Sequence, residues 1–352
     1  MQRRIRELDG LRAFAVAAVV IFHALGDRFP GGFLGVDIFF VISGFIITRV
    51  LLQEQAETNG ISIKRFYIRR IIRLWPAFFA LLLAVVAAQT IENVIVNKME
   101  YSTYVLTTFA AASAMNWIRA FDFSGGGILG HTWSLSVEEQ FYLIWPALLT
   151  ALIGMKKKKI LLIVISIASI SILWRICLVL DGATAARTYN GLDTRLDALL
   201  IGCALAIFGA ENIAARWVRT FIPVCLGFIG LAFTVTWQSI FLNTVGFTLV
   251  ALMAALLVFS AARPDPIVTA VLGNRLAVWL GARSYSLYLW HYPMLHWMGL
   301  TGLPAKISIP AAVLASLLAA DLSYRFVERP LLKRVAFAQP KAPISLASHA
   351  AP

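Results

Sequence analysis

Apolar residues in this chain follow neither the two-residue alternation of a half-buried strand nor the narrow stripe of a helix resting on a soluble core. They fill stretch after stretch, separated by short polar or basic segments. A hydrocarbon layer of about 30 Å is crossed by a helix of about 20 predominantly apolar residues. Stretches of that kind lie near residues 11 to 26, 33 to 53, 74 to 91, 133 to 153, 159 to 180, 194 to 210, 218 to 237, 240 to 261, 284 to 299 and 308 to 327. The pattern predicts an all-α membrane protein, a bundle of about ten transmembrane helices. The first stretch lacks a small-residue cleavage site, so it reads as a retained span rather than a removable signal. Residues 101 to 117 form one more apolar segment, rich in Ala, Thr and Ser, and hydropathy alone does not say whether it crosses.

Charge decides between the two parities. If the end carrying Arg3, Arg4 and Arg6 is cytoplasmic and 101–117 does not cross, the basic clusters at 64–73, 156–159, 263–283 and 329–334 all fall on the cytoplasmic side. A crossing would put the lysine run at 156–159 outside. Both termini are then expected in the cytoplasm, with the bundle in a bacterial inner membrane. Residues 1–335 read as one membrane domain, and 336–352, rich in Ala, Pro and Ser, as a disordered tail. A composition of 60% hydrophobic and 14% charged residues excludes water as the main solvent. The net charge of +13 sits beside apolar spans, which points to membrane lipids rather than nucleic acid as partner. Cys177, Cys203 and Cys225 all lie inside apolar stretches, so neither a disulfide framework nor a metal site is expected.

Ionisable groups inside a span cost about 3 kcal/mol or more unless they pair or face water, so each is a candidate functional group. Arg12 and His23 are eleven positions apart, close to three turns, which places them on one helix face about 16 Å apart along its axis. Alone, Arg12 would read as a snorkelling anchor and His23 as a buried histidine satisfied by a carbonyl. On the second span Asp37, Gly44 and Thr48 share a stripe beside Ser43. A carboxylate there can orient a histidine, and Gly44 admits either a thin ligand or a neighbouring helix. His131, Ser134, Glu138, Tyr142 and Trp145 form a stripe on the fourth, with Trp133 beside it; an interfacial aromatic belt is the plainer account of Trp133 and Tyr142. Arg195 can pair locally with Asp193 or Asp197. Tyr288 and His291 precede Pro293, Asp321 and Arg325 stand at ion-pair spacing, and Glu328 can cap the last helix or hold the basic loops. In the basic segment, Lys64 and Arg65 suit anionic lipid, whereas Arg70 and Arg73 suit a fork for the phosphates of a CoA-type donor.

These residues carry a resemblance. The run RELDGLRAFAVAAVVIFH, GVDIFFVISGFIIT from Gly35, RRIIRLWPAF from Arg69, HTWSLSVEEQFYLIWP from His131, DTRLDALLIGCALA from Asp193, SYSLYLWHYP from Ser284 and VERP from Val327 resemble the membrane-bound acyltransferase-3 family, in family order across residues 8–332. The resemblance implies a ten-helix domain that takes acetyl-CoA from the cytoplasm, as co-substrate and without a metal, and acetylates a carbohydrate such as an O-antigen or exopolysaccharide at the outer face. It implies that Arg12 and His23 are the family's signature pair and that Arg70 and Arg73 are its RxxR motif. Some relatives add a periplasmic SGNH-type domain. This sequence runs only about twenty residues past VERP, and none is expected in it.

The mechanism expected at this point has Arg70, Arg73 and Arg12 holding the donor's phosphates while its thin arm follows a passage up to His23. His23 serves as general base or as a transient acetyl carrier, with Asp37 or Glu138 fixing its tautomer. A transporter or flippase of a lipid-linked sugar is the rival reading, with the same polar stripe as its path. Residues 92–130 and 181–191 are the candidates for contacting the acceptor; oligomeric state is left open.

Overall fold

The computed structural model describes residues 5–97, 101–123, 125–263 and 265–332; Arg3, Arg4 and the tail at 336–352 lie outside them. Among the described residues every regular element is helical and none is a strand. The α-helices are α1 (Arg6–Leu25), α2 (Gly35–Thr58), α3 (Ile63–Val96), α4 (Ser102–Ala111), α5 (Met115–Ala120), α6 (Trp133–Leu152), α7 (Lys157–Leu180) and α8 (Ala185–Asn190). They continue as α9 (Leu192–Phe208), α10 (Phe221–Thr234), α11 (Phe247–Ala261), α12 (Pro266–Leu272), α13 (Arg275–Ala282), α14 (Ser284–Gly299) and α15 (Ala305–Ser323).

Among the described residues seven segments are long and apolar enough to cross a membrane: Arg6–Arg28, Gly32–Thr58, Ile63–Val96, Lys157–Leu180, Ala215–Thr234, Leu242–Ala261 and Ala305–Leu332. The remaining three predicted spans are helices of a different kind. α9 and α14 have 17 and 16 residues, and α6 carries Glu138, Glu139 and Gln140 through its first half. Residues 101–117 break into α4 and α5, of 10 and 6 residues, with Ser113 between them at φ 54°, so neither helix spans. Leu83, Leu162, Leu226 and Leu314 are all more than half exposed, an apolar surface that suits lipid and not water.

Lipid tails are as apolar as leucine, so helices in a membrane associate through close packing and internal polar contacts rather than hydrophobic burial. Glycine supplies that closeness here. A Cβ on Gly44 of α2 would collide with the Leu199 carbonyl of α9, and one on Gly202 of α9 would collide with the Val41 carbonyl of α2. The α1 backbone meets α12 and α13 the same way, Gly10 against Leu272 and Gly281 against the Asp9 carbonyl. Gly44 therefore admits a neighbouring helix and not a ligand. The outcome is a bundle whose interior helices α2, α6, α9 and α14 carry the polar groups.

Candidate active site

Arginines gather at one end of the bundle. A cavity of about 340 Å³ is lined by Arg12, Arg49 and Arg73 together with Asp9, Tyr285 and Glu328. Glu328 accepts a hydrogen bond from Ser286, which also bonds Ser323 at 2.8 Å; it lies in a π-helical turn, Tyr324–Glu328, of the kind that often marks functional sites. Glu328 thus faces the arginines rather than capping a helix. Among the described residues no carboxylate lies within ion-pair distance of Arg12, Arg49 or Arg73, and the buried Nε of Arg12 has no hydrogen-bond partner. Unanswered guanidinium donors around a cavity suit a polyanion.

Arg70 departs from the expected fork. It sits 3.9 Å from both Glu138 and Glu139, and its guanidinium lies 3.1 Å over the ring of Tyr142. Its charge is already answered. Glu138 also accepts from Ser43 at 2.8 Å and from Tyr142 at 3.0 Å. The structure thus keeps Glu138 with Arg70 and away from His23, because α6 turns that carboxylate toward α2 and α3. Two narrow cavities of about 50 and 40 Å³ continue from the first, and Arg12 and Tyr285 line all three. The second of these ends at Ser134 and Tyr288.

Beyond that point three imidazoles meet. His23 Nδ1 lies 3.0 Å from the Val19 carbonyl and 3.2 Å from His291 Nε2. His291 Nδ1 lies 2.7 Å from the Tyr288 carbonyl, so it must carry the proton, and Nε2 of His291 is then an acceptor. The hydrogen on His23 accordingly sits on Nδ1, shared between two acceptors, and its Nε2 keeps a free lone pair. His131 lies 5.4 Å from His291 and 5.2 Å from Tyr292 between ring centroids, and its Nε2 donates to the Leu289 carbonyl at 3.1 Å. Its buried Nδ1 has no partner. Tyr288 joins the cluster to the cavity: its hydroxyl bonds Ser134 at 2.6 Å and donates to the His131 carbonyl at 2.8 Å. The passage expected from the sequence therefore stops one side chain short of the histidines.

Asp37 is not part of this cluster. Its carboxylate pairs with Arg195, both fully buried, and the Arg195 guanidinium lies 3.7 Å over Phe247. Arg195 consequently makes no local pair on α9. Asp197 is held instead by a two-pronged contact from Arg175, at 3.0 and 3.1 Å, and Asp193 by Arg187 and by Trp174 at 2.8 Å. The reason is geometric: a stripe shows which side chains share a face, while the facing helix decides their partners. Trp133 and Tyr142 are buried rather than interfacial, Trp133 standing 4.6 Å from Tyr189. Asp321 does pair with Arg325 at 2.8 Å, and with Arg283 at 2.7 Å. Sequence reading missed Arg175 and Arg119. A lone arginine in an apolar span signalled the first, and a glycine run signalled the second.

A family described as an acyltransferase domain matches residues 5–325 of the chain. The chain belongs to this acyltransferase family. Its similarity to the peptidoglycan O-acetyltransferase OatA of Listeria monocytogenes is 34% identity over 356 residues, covering 94% of this chain and 56% of that protein. The O-acetyltransferase OatA of Staphylococcus aureus is 33% identical over 351 residues, covering 94% of this chain and 58% of the relative. The chain thus spans a little over half the length of these relatives. No solved structure matches it. Multiple apolar helices together with the family make it a multi-pass membrane protein. Within this acyltransferase domain, Arg12 and His23 lie on the same helix but serve two ends of the bundle, the arginine cavity and the imidazole cluster.

Proposed function

We propose that the chain is an O-acetyltransferase of a bacterial inner membrane, moving an acetyl group from cytoplasmic acetyl-CoA to a carbohydrate hydroxyl on the outer side. In this reading the seven long spans together with α6, α9 and α14 make ten crossings with both termini inside, an orientation in which the arginine cavity faces the cytoplasm. Arg12, Arg49 and Arg73 bind the donor's phosphates, and its thin arm follows the narrow cavities toward Tyr288. Because a relative acts on peptidoglycan, glycan strands of that polymer are the first acceptor to try.

The observation that carries the proposal is the free Nε2 of His23, left unprotonated because Nδ1–H is held by the Val19 carbonyl and by His291. Nε2 takes the proton of the acceptor hydroxyl as its oxygen attacks the thioester carbonyl carbon. The C–S bond breaks, CoA leaves as thiolate, and the imidazolium returns the proton to that sulfur. The two acceptors on Nδ1 stabilise the charge on the ring in between, the part expected of Asp37 or Glu138. Transfer must pass the Tyr288–Ser134 contact, so that pair opens in each cycle.

The test is CoA release by the purified chain in detergent with acetyl-CoA and glycan strands. Turnover that His23→Ala abolishes is expected; full activity in that variant removes the assignment. Rapid quench with labelled acetyl-CoA alone distinguishes direct transfer from an acetyl-histidine relay: the direct route predicts no labelled His23.

A further inference from the structure

A second, larger cavity opens at the arginine end of the bundle, and the transfer chemistry above does not use it. It encloses about 880 Å³ where α2, α9 and α11 end, and both Arg49 of α2 and Arg263, just past α11, line it. Arg49 lines the 340 Å³ cavity as well, so the two spaces share a side chain. Arg263 is held in place by the main chain. Its Nε and Nη2 donate to the Ala210 carbonyl at 3.2 and 2.8 Å, and Nη2 also donates to the Ile213 carbonyl at 2.7 Å. The chain turns out of α9 directly before that first carbonyl, at Gly209 with φ 89°, a conformation that side chains resist. Nη1 of Arg263 makes no such bond, and among the described residues no carboxylate pairs with Arg263 or Arg49. Both guanidinium groups therefore keep donors for a ligand.

The rest of the lining is part apolar and part acceptor. Phe45, Leu52 and Val218 supply the apolar part. Asp265 accepts from the Ile267 and Val268 amides through Oδ1 alone, at 2.9 and 3.1 Å, and Gln53 spends its amide nitrogen on Glu57 at 2.7 Å. Each keeps an acceptor oxygen at the cavity. Apolar surface with a few acceptors and two unpaired arginines suits a phosphorylated nucleoside: a flat base on the apolar part, its amino group on the acceptors and its phosphate on a guanidinium. Size points the same way. Small-ligand pockets run from about 300 to 1,000 Å³, and the 340 Å³ cavity stands at the low end of that range. CoA carries a phosphorylated adenosine in addition to its diphosphate and thin arm, and that end needs the further room.

We propose that this second cavity is the subsite for the phosphorylated adenosine end of the donor, a step that rests on the transferase reading. Arg49, common to both cavities, stays with the diphosphate, and Arg263 takes the phosphate on the ribose. The base lies against Phe45, Leu52 and Val218 with Gln53 and Asp265 facing its amino group. An anionic lipid headgroup shares the phosphate with this ligand but has no base to occupy the acceptors. The subsite anchors the donor at a distance from the reacting carbonyl, so it governs which thioesters bind and leaves the chemical step to the imidazole end.

The experiment measures equilibrium binding of three thioesters to the full chain in detergent: acetyl-CoA, acetyl-dephospho-CoA, which lacks the ribose phosphate, and acetyl-phosphopantetheine, which lacks the whole nucleoside. Removing the ribose phosphate should weaken binding to the unaltered chain about tenfold, the effect of losing a charged hydrogen-bond pair. Arg263→Gln should weaken acetyl-CoA by a similar factor and leave acetyl-dephospho-CoA unchanged. Ala215→Trp, at an exposed position on the cavity lining, should bring both nucleotide thioesters down to the affinity of acetyl-phosphopantetheine and leave that compound unaffected; it carries the test if the Arg263 variant does not fold. Equal affinity of the unaltered chain for acetyl-CoA and its dephospho form overturns the subsite, as does an Arg263→Gln loss shared by all three compounds or full acetyl-CoA affinity in Ala215→Trp. An Arg263→Gln effect seen only when phosphatidylglycerol is added to the micelles makes the cavity a lipid site and overturns it too. No acetyl-CoA binding at all by the unaltered chain defeats the transferase reading, whereas binding indifferent to the ribose phosphate defeats only the subsite.

Discussion

Replacing His291 by leucine tests the tautomer argument at its weakest joint. The substitution removes the Nε2 acceptor 3.2 Å from His23 Nδ1 and leaves the Val19 carbonyl, at 3.0 Å, as the remaining partner. In the resting state this loses about 1 kcal/mol, since the proton on Nδ1 keeps one acceptor. In the transition state the ring is charged, and a hydrogen bond to a charged group contributes about 1.5–3 kcal/mol. The difference of about 0.5–2 kcal/mol falls on the chemical step, so kcat should drop about 2- to 30-fold with the KM for acetyl-CoA unchanged. Glutamine at the same position offers an amide oxygen and should recover part of the loss. Steady-state CoA release followed with a thiol reagent reads both parameters. A leucine variant within twofold of the unaltered protein refutes the reasoning, as does a change confined to donor KM.

Arg12→Gln and Arg73→Gln should each weaken acetyl-CoA binding about tenfold or more, with the loss greatest at low ionic strength, whereas Arg70→Gln should act less on binding because Glu138 and Glu139 already face it; equilibrium binding in detergent across a salt series ranks the three. Asp37→Asn or Arg195→Met should destabilise the bundle by about 3–5 kcal/mol by leaving a buried charge unpaired, and the double change to Leu and Met should recover much of it, read as thermal unfolding in detergent. Gly44→Ala should lower the unfolding temperature without changing donor affinity in the folded fraction, since the new methyl meets the Leu199 backbone and no cavity.

Periodicity carried much of this architecture. The stripe Ser134, Glu138, Tyr142 and Trp145 does face the bundle interior, with Trp145 donating to Thr48 at 2.9 Å, and the eleven-residue spacing did put Arg12 and His23 on a common helix, one lining the arginine cavity and the other in the imidazole cluster. Partnership was not readable in the same way. Asp37 and His23 looked matched because both were rare ionisable groups in early spans, yet α9 packs so closely on α2 through Gly44 and Gly202 that Arg195 reaches Asp37 first. Arg175 escaped notice inside a long apolar run, although an arginine there demands a partner and finds Asp197 and Thr248. Loop chemistry was harder still. The glycines at 125–127 announce a turn, but only the folded chain shows that the turn wraps an arginine.

The hydroxyl contact between Tyr288 and Ser134 bears on bioenergetics as much as on transfer. A catalyst that works across an energised bilayer risks becoming a wire, because water threading from the arginine cavity to the imidazoles would let protons run down their gradient at every idle moment. A closed phenol in that column severs the wire between turnovers. If the chain is the transferase proposed above, the same small plug that delays an incoming thioester would let a cell carry many copies of it without draining its membrane potential.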